Sequence, residues 1–330
     1  MHASIRAAEE RKPPPGFFVI KLFSLRPDTI ASFDIYIMDR KSVQPTLFRA
    51  RTLPITSEVL QRLTEAGHAR LYVPASQEAD YRVYIEQHLE VILQDEAIPV
   101  KVRSDVLYDS AKCLMQDVFE NPRSAAMVKR SKDLVANTAA FLSNEKSAFE
   151  HMLSLVSYDY YTYTHSVNVF VFSFALAQRA GFTDAVLLQQ FGEGALLHDV
   201  GKSMLDPAII RSRGALDGEQ WRQMRLHPVY GYDILKAHEG LSDLALDVVR
   251  HHHEKLDGTG YPDGLRGDEI HPLVRISTIA DIFDALTTCR PYKHALQSFP
   301  ALRLMRDEMQ GELDPHYFEL FIELMGNPSG

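Results

Sequence analysis

The chain has 330 residues, of which 45% are hydrophobic and 24% charged, values ordinary for a soluble globular protein of about two domains. A formal net charge of -9 argues against a sequence-independent nucleic-acid binder, while leaving room for a small anionic ligand beside bound cations. Two distant cysteines, Cys113 and Cys289, exclude a zinc ribbon or a disulfide framework and read as reduced thiols of a cytosolic protein.

Residues 1–16 read as a disordered arm, charged and proline-rich through Pro13, Pro14 and Pro15, and lacking the apolar core of a secretory signal. Short runs at 17–23, 33–38, 46–50 and 70–73 are rich in Phe, Ile, Tyr and Val, and read as strands. Helical spacing occupies 57–66, with Gly67 as its stop, and a second helix is expected over 77–93. Residues 17–95 are thus expected to form a small α/β module, for packing, for a ligand, or for a protein partner of the diguanylate cyclase type. The stretch 96–149 is helical in pattern and interrupted at Asn121 and Pro122. It can be a linker, a dimerisation pair that would make a homodimer, or the start of the next domain. From 150 onward only helix patterns joined by loops occur, so an all-α domain is expected over 150–325. The longest apolar run, at 167–177, is far shorter than the roughly 20 residues needed to cross a bilayer. It reads as a buried core helix, with no membrane span expected and the cytoplasm as the location.

Histidine and aspartate recur along this helical half. His198 and Asp199 sit together in GALLHDVGK (194–202). A hydrogen-bonded core histidine is the plain alternative for His198 alone. The adjacent aspartate, however, needs a partner or a metal when buried, and carboxylate with imidazole is a normal ligand set for iron, manganese or zinc. His227 precedes Pro228, a residue favoured at the first helical position, and would face a cleft from a helix N-terminus unless it is only a cap. A helix over 243–253 ends in three histidines; Leu244, Val248 and His252 share a face, which turns His252 inward, takes His253 with it and leaves His251 toward solvent. A helix over 274–288 is apolar around most of its circumference and carries Ser277, Asp281, Asp284 and Thr288 on one stripe. Two aspartates there require something positive opposite, either a metal or a buried salt bridge.

These motifs together resemble an HD-GYP domain, a branch of the HD phosphohydrolase superfamily, over about 150–325. The resemblance rests on YTYTHSVNV around His165, LLHDVGK, LxxHPVYGYxIL at 226–235, HHEKLDGTGYPDGL at 252–265, ADIFDALTTCRPYK at 280–293 and LDP at 313–315. The expected architecture is multidomain, a small N-terminal α/β module followed by an all-α HD-type helical bundle. The resemblance implies hydrolysis of cyclic di-GMP to pGpG, and onward to GMP in part of the family. It implies metal ligands His165, His198, Asp199, His227, His252, His253 and Asp281, with Asp199 bridging two divalent metals, iron first and manganese or another transition metal next. Two such cations can share a hydroxide and hold both non-bridging phosphate oxygens. Lys202, three residues beyond Asp199, is expected on the scissile phosphate beside the catalytic Asp199. Gly260, Tyr261 and Pro262 are expected to shape the substrate pocket, with Tyr261 stacking on a guanine. Asp284, Arg290 and Lys293 are further expected substrate contacts. Some members carry a glutamate four residues before the first histidine as a ligand to a third metal; Tyr161 stands here, so two metals and pGpG as the main product are expected. Two other readings stay open: a module that binds cyclic di-GMP without hydrolysing it, and an HD hydrolase acting on another nucleotide.

Overall fold

The structure is a computed structural model that describes residues 13–38, 44–145, 147–155, 162–210, 212, 214–238, 240–288 and 295–326. It divides into two compact units, Met1–Ile98 and Pro99–Gly330.

In the first unit β1 (Phe17–Lys21), β2 (Thr29–Ile30), β3 (Ile35–Ile37), β4 (Thr46–Arg49), β5 (Pro54–Ile55) and β6 (Arg70–Pro74) build two sheets. The larger has the order β1-β6-β3-β4 and the smaller pairs β2 with β5, all antiparallel. Helices α1 (Ser57–Glu65) and α2 (Glu78–Gln94) complete the unit. Thr56 caps α1 by accepting from the Val59 amide, and Gly67, at φ +75°, ends it as its sequence position suggested. The core joins Ile20, Ile35, Leu71 and Val73 from the sheet to Tyr84, Leu89 and Ile92 of α2, and Phe33 meets Tyr84 edge to face at 5.5 Å. Two details differ from expectation. The strand expected at 17–23 gives way after Lys21 to a 3-10 turn, and the β2–β5 pair was not foreseen, because two residues carry no readable period.

The second unit holds, among the described residues, only helices: α3 (Val100–Glu120), α4 (Ala125–Asn144), α5 (Ala148–Leu155), α6 (Thr162–Arg179), α7 (Ala185–Leu197), α8 (Pro207–Ile210), α9 (Gly218–Met224), α10 (His227–Lys236), α11 (Asp243–His251), α12 (Pro272–Thr287), α13 (Ser298–Glu308) and α14 (Pro315–Gly326). The apolar run expected as a core helix is the middle of α6, where every residue from Val167 to Ala177 is buried. It packs on α12, α7, α3 and α14. Phe172, Phe283 and Phe321 meet there edge to face, at 5.0 to 6.1 Å between ring centres. Each such ring contributes about 1.5–3 kcal/mol by leaving water. This rigid centre matters for chemistry, because α6, α7 and α12 each carry a polar residue toward one point. No described helix is long and apolar enough to cross a membrane.

Candidate metal centre

Each site histidine is delivered by a helix end or a buried helix face. His198 caps the C-terminus of α7, where Leu196 and Leu197 bury the last turn, and Asp199 begins the 3-10 turn Val200–Met204. Gly201 permits this turn to press on α10, since a Cβ there would run into the His227 carbonyl. His227 opens α10 with Pro228 in its first turn, His252 caps α11, and Asp281 lies on the inner face of α12.

The imidazoles converge. Nδ1 of His198, His227 and His252 bonds the carbonyl three residues back, Ala195, Met224 and Val249, at 2.7–2.9 Å. As neutral rings, all three therefore donate outward through Nδ1 and turn a bare Nε2 inward. Nδ1 of His165 instead meets Asp284 Oδ2 at 2.6 Å. Ligand atoms gather into two triads, His165–His198–Asp199 and His227–His252–His253, each within 4.8 Å. Two carboxylates straddle them. Asp199 Oδ2 lies 3.5 Å from His165 and 3.4 Å from His198, while its Oδ1 lies 3.2 Å from His227. Asp281 Oδ1 lies 3.0 Å from His165 Nε2, while its Oδ2 lies 3.4 Å from His253 Nδ1.

Burial holds His227, His252 and His253 below the ordinary imidazole range, His253 at about 3. Asp199 and Asp281 remain carboxylates. Burial opposes this, but Lys202 holds Asp199 well below its usual value, and the hydrogen bond with His165 does the same for Asp281. His165 is the exception: burial pulls it down, yet the Asp281 and Asp284 carboxylates lift it to about 10. Its proton is the positive charge that the expected salt-bridge alternative called for.

This donor set fits a cation better than it fits itself. His227 Nε2 and His252 Nε2 face one another at 3.2 Å, and two neutral rings with Nδ1 protonated would oppose lone pairs there. His198 Nε2 and Asp199 Oδ1 are buried without an aligned hydrogen-bond partner, although His227 approaches the latter. Buried acceptors left in this way cost about 1–3 kcal/mol each. Divalent ions at the two triads would satisfy all of them, and mixed imidazole and carboxylate donors suit iron, manganese or zinc.

The other expected site residues fall in varied places. Lys202 is nearly buried and donates from Nζ to Asp199 Oδ2 at 2.5 Å. Gly260 lies against the His253–Lys255 backbone, where a Cβ would collide, and Pro262 is half-buried in the same loop. Tyr261 stacks on His253, with ring centres 4.7 Å apart, and the Arg225 guanidinium lies 5.2 Å from its ring centre. The stacking expected on a guanine is thus made within the protein. Asp284 corrects an expectation outright: it is 0% exposed, with its oxygens on His165 and Asn168, so it orients His165 and cannot touch substrate. His251 does not point freely to solvent, since it bridges Asp247 and Asp263. Arg290, Lys293 and Tyr161 lie outside the described residues.

Sequence reading missed two groups. Glu254, although visible in the HHE motif, drew no role; its buried carboxylate accepts the amides of Asp263, Gly264 and Leu265 at 2.7–3.1 Å and so ties the glycine-rich loop beneath the site. Arg225, an exposed cation two residues before His227, had no motif to mark it.

The chain matches the HD domain family over residues 133–317. It is 32% identical over 280 residues to a cyclic di-GMP phosphodiesterase of Pseudomonas aeruginosa, covering 81% of this chain and 67% of that one. With a 3'3'-cGAMP-specific phosphodiesterase of Vibrio cholerae it shares 35% identity over 247 residues, 71% of this chain and 52% of that one. The cyclic di-GMP phosphodiesterase response regulator RpfG of Xanthomonas campestris is 36% identical over 122 residues, 37% of this chain and 32% of its own. The chain therefore spans only about half or less of the latter two. Among solved structures, Bd1817, an HDG"Y"P protein from Bdellovibrio bacteriovorus, superposes with a TM-score of 0.66 over 94% of this chain and 99% of that one, at 22% identity, a likeness of fold.

Proposed function

This chain belongs to the HD domain family, of the HD-GYP type, and from that premise we propose that it is a metal-dependent phosphodiesterase that opens cyclic di-GMP, with pGpG as the main product. The observation that carries the proposal is the pair of carboxylates, Asp199 and Asp281, each turning one oxygen to either imidazole cluster. Such sharing suits two divalent ions. His165 and His198 would hold one, His227, His252 and His253 the other, and Asp199 and Asp281 would serve both; the nitrogen and oxygen donors favour iron, with manganese as the alternative. When bound, the metal supplies positive charge for a phosphate and acidifies water so that a nucleophile exists near neutral pH.

The chain's own groups do the remainder. Carbonyls of Ala195, Met224 and Val249 keep three imidazoles aimed inward. Lys202, already beside Asp199, is placed to offset negative charge developing on the scissile phosphate. Arg225 offers a planar fork at the rim, suited to phosphate, and Arg290 with Lys293 are proposed as further contacts. Tyr261 and Gly260 hold the loop against His253.

A second reading is opening of 3'3'-cGAMP, favoured by the name of the Vibrio relative. The deciding experiment incubates metal-loaded protein separately with cyclic di-GMP, 3'3'-cGAMP and pGpG and separates the products chromatographically. Faster loss of cyclic di-GMP is expected. Faster loss of 3'3'-cGAMP favours the second reading. Intact rings alongside full metal occupancy would leave only a nucleotide-binding module.

A further inference from the structure

His165 is the inner end of a buried hydrogen-bond chain that leaves the metal centre altogether. Tyr108, on α3, donates its hydroxyl to Asn168 Oδ1 at 2.7 Å. Asn168, on α6, donates from Nδ2 to Asp284 Oδ1 at 2.8 Å. Asp284, on α12, takes His165 Nδ1–H on its second oxygen at 2.6 Å. The four residues are 2%, 0%, 0% and 1% exposed in that order, so water does not compete.

The direction of this chain is fixed by chemistry. A carboxylate only accepts, so Asn168 must turn its amide nitrogen to Asp284 and its oxygen away. That oxygen then requires a donor, and the phenol of Tyr108 is the donor that meets it. Asp284, held at one oxygen, takes His165 Nδ1–H at the other, which leaves Nε2 facing Asp281 at 3.0 Å and Asp199 at 3.5 Å. The remaining ring nitrogens of His198, His227 and His252 rest on nearby backbone, whereas His165 depends on partners from two other helices.

We propose that Tyr108 and Asn168 are positioning residues of the metal centre, which set the orientation of Asp284 and thereby the direction in which His165 presents its metal-binding nitrogen. The inference rests on reading the His/Asp cluster as a metal site. Loss of an outer partner of a ligating histidine typically weakens metal affinity by about 10–100-fold. The test is the dissociation constant for Mn²⁺, measured by chelator competition on full-length Tyr108→Phe and wild-type protein, both shown folded by circular dichroism at the working temperature. At least tenfold weaker binding by Tyr108→Phe is expected. A residue that merely packs would lower stability with and without metal alike and leave this constant unchanged, and that result overturns the proposal. Should Tyr108→Phe not fold, Asn168→Asp, which faces Asp284 with an acceptor in place of a donor, carries the same measurement and the same two outcomes. Wild-type protein that binds no metal would defeat the metal reading itself, a result distinguishable from either.

Discussion

Removing Asp199 takes an oxygen from both imidazole clusters in one step. Asp199→Ala is therefore expected to lower bound metal per chain and to cost more activity than the roughly 10–100-fold that follows loss of an outer partner. Elemental analysis beside product chromatography checks this, and unchanged turnover would show that the centre is wrongly placed. Asp284→Asn is expected to behave in the milder way, because Asp284 is bonded to His165 and is not among the proposed ligands. The two aspartates also show the reach of sequence reading. Residues three apart on a helix differ by about 60° in direction, a consequence of 100° per residue. Both fall on one polar stripe, and the sequence cannot say which of them faces the centre and which lies behind a ligand. Gly201 adds a prediction of another kind. Gly201→Ala drives a methyl group into the α10 backbone, and should destabilise by about 1–3 kcal/mol, visible as a lower denaturant midpoint with less metal retained.

The loop after α11 acts as a tied element. Glu254 collects its amides from within, while Asp263 is gripped from outside by Arg250 and His251. Hydrogen bonds from Arg250, opposed by partial burial and aided by His251, hold the Asp263 carboxyl at about 2, against an ordinary 3.8. A lowered carboxyl stabilises the fold above its unfolded value and loses that contribution as pH falls through the folded value. The difference in thermal midpoint between wild type and Asp263→Asn should accordingly be full at pH 5 and shrink as pH drops from about 3.8 toward 2. A difference that stays constant over that range would contradict the clamp. Motif spacing located this loop, because HHE and GYP lie close in sequence. It could not disclose the clamp, whose partners Arg250 and Asp263 sit on either side of the turn, nor the contact of Tyr108 with Asn168, which spans 60 positions. Local period reveals helices such as α6 and α12; long-range polar contacts leave no such trace.

All of the proposed metal ligands lie between His165 and Asp281, within the unit Pro99–Gly330. A chain beginning at Pro99 should hence fold cooperatively and retain its metal, which circular dichroism and elemental analysis would verify; loss of metal on truncation would mean that the first unit completes the site. Chelation of the full chain should lower its melting temperature without unfolding it, because the aromatic core around α6 remains and a proton takes the place of the metal on His165. At metal 100-fold above its dissociation constant the stabilisation lost is about 2.7 kcal/mol. Metal content and product release, measured on one sample, test the two-metal phosphodiesterase most directly. Protein purified without oxygen is assayed for metal per chain, and the same sample is given cyclic di-GMP. About two divalent ions per chain together with release of pGpG is the predicted result; full metal occupancy with cyclic di-GMP left intact would contradict it.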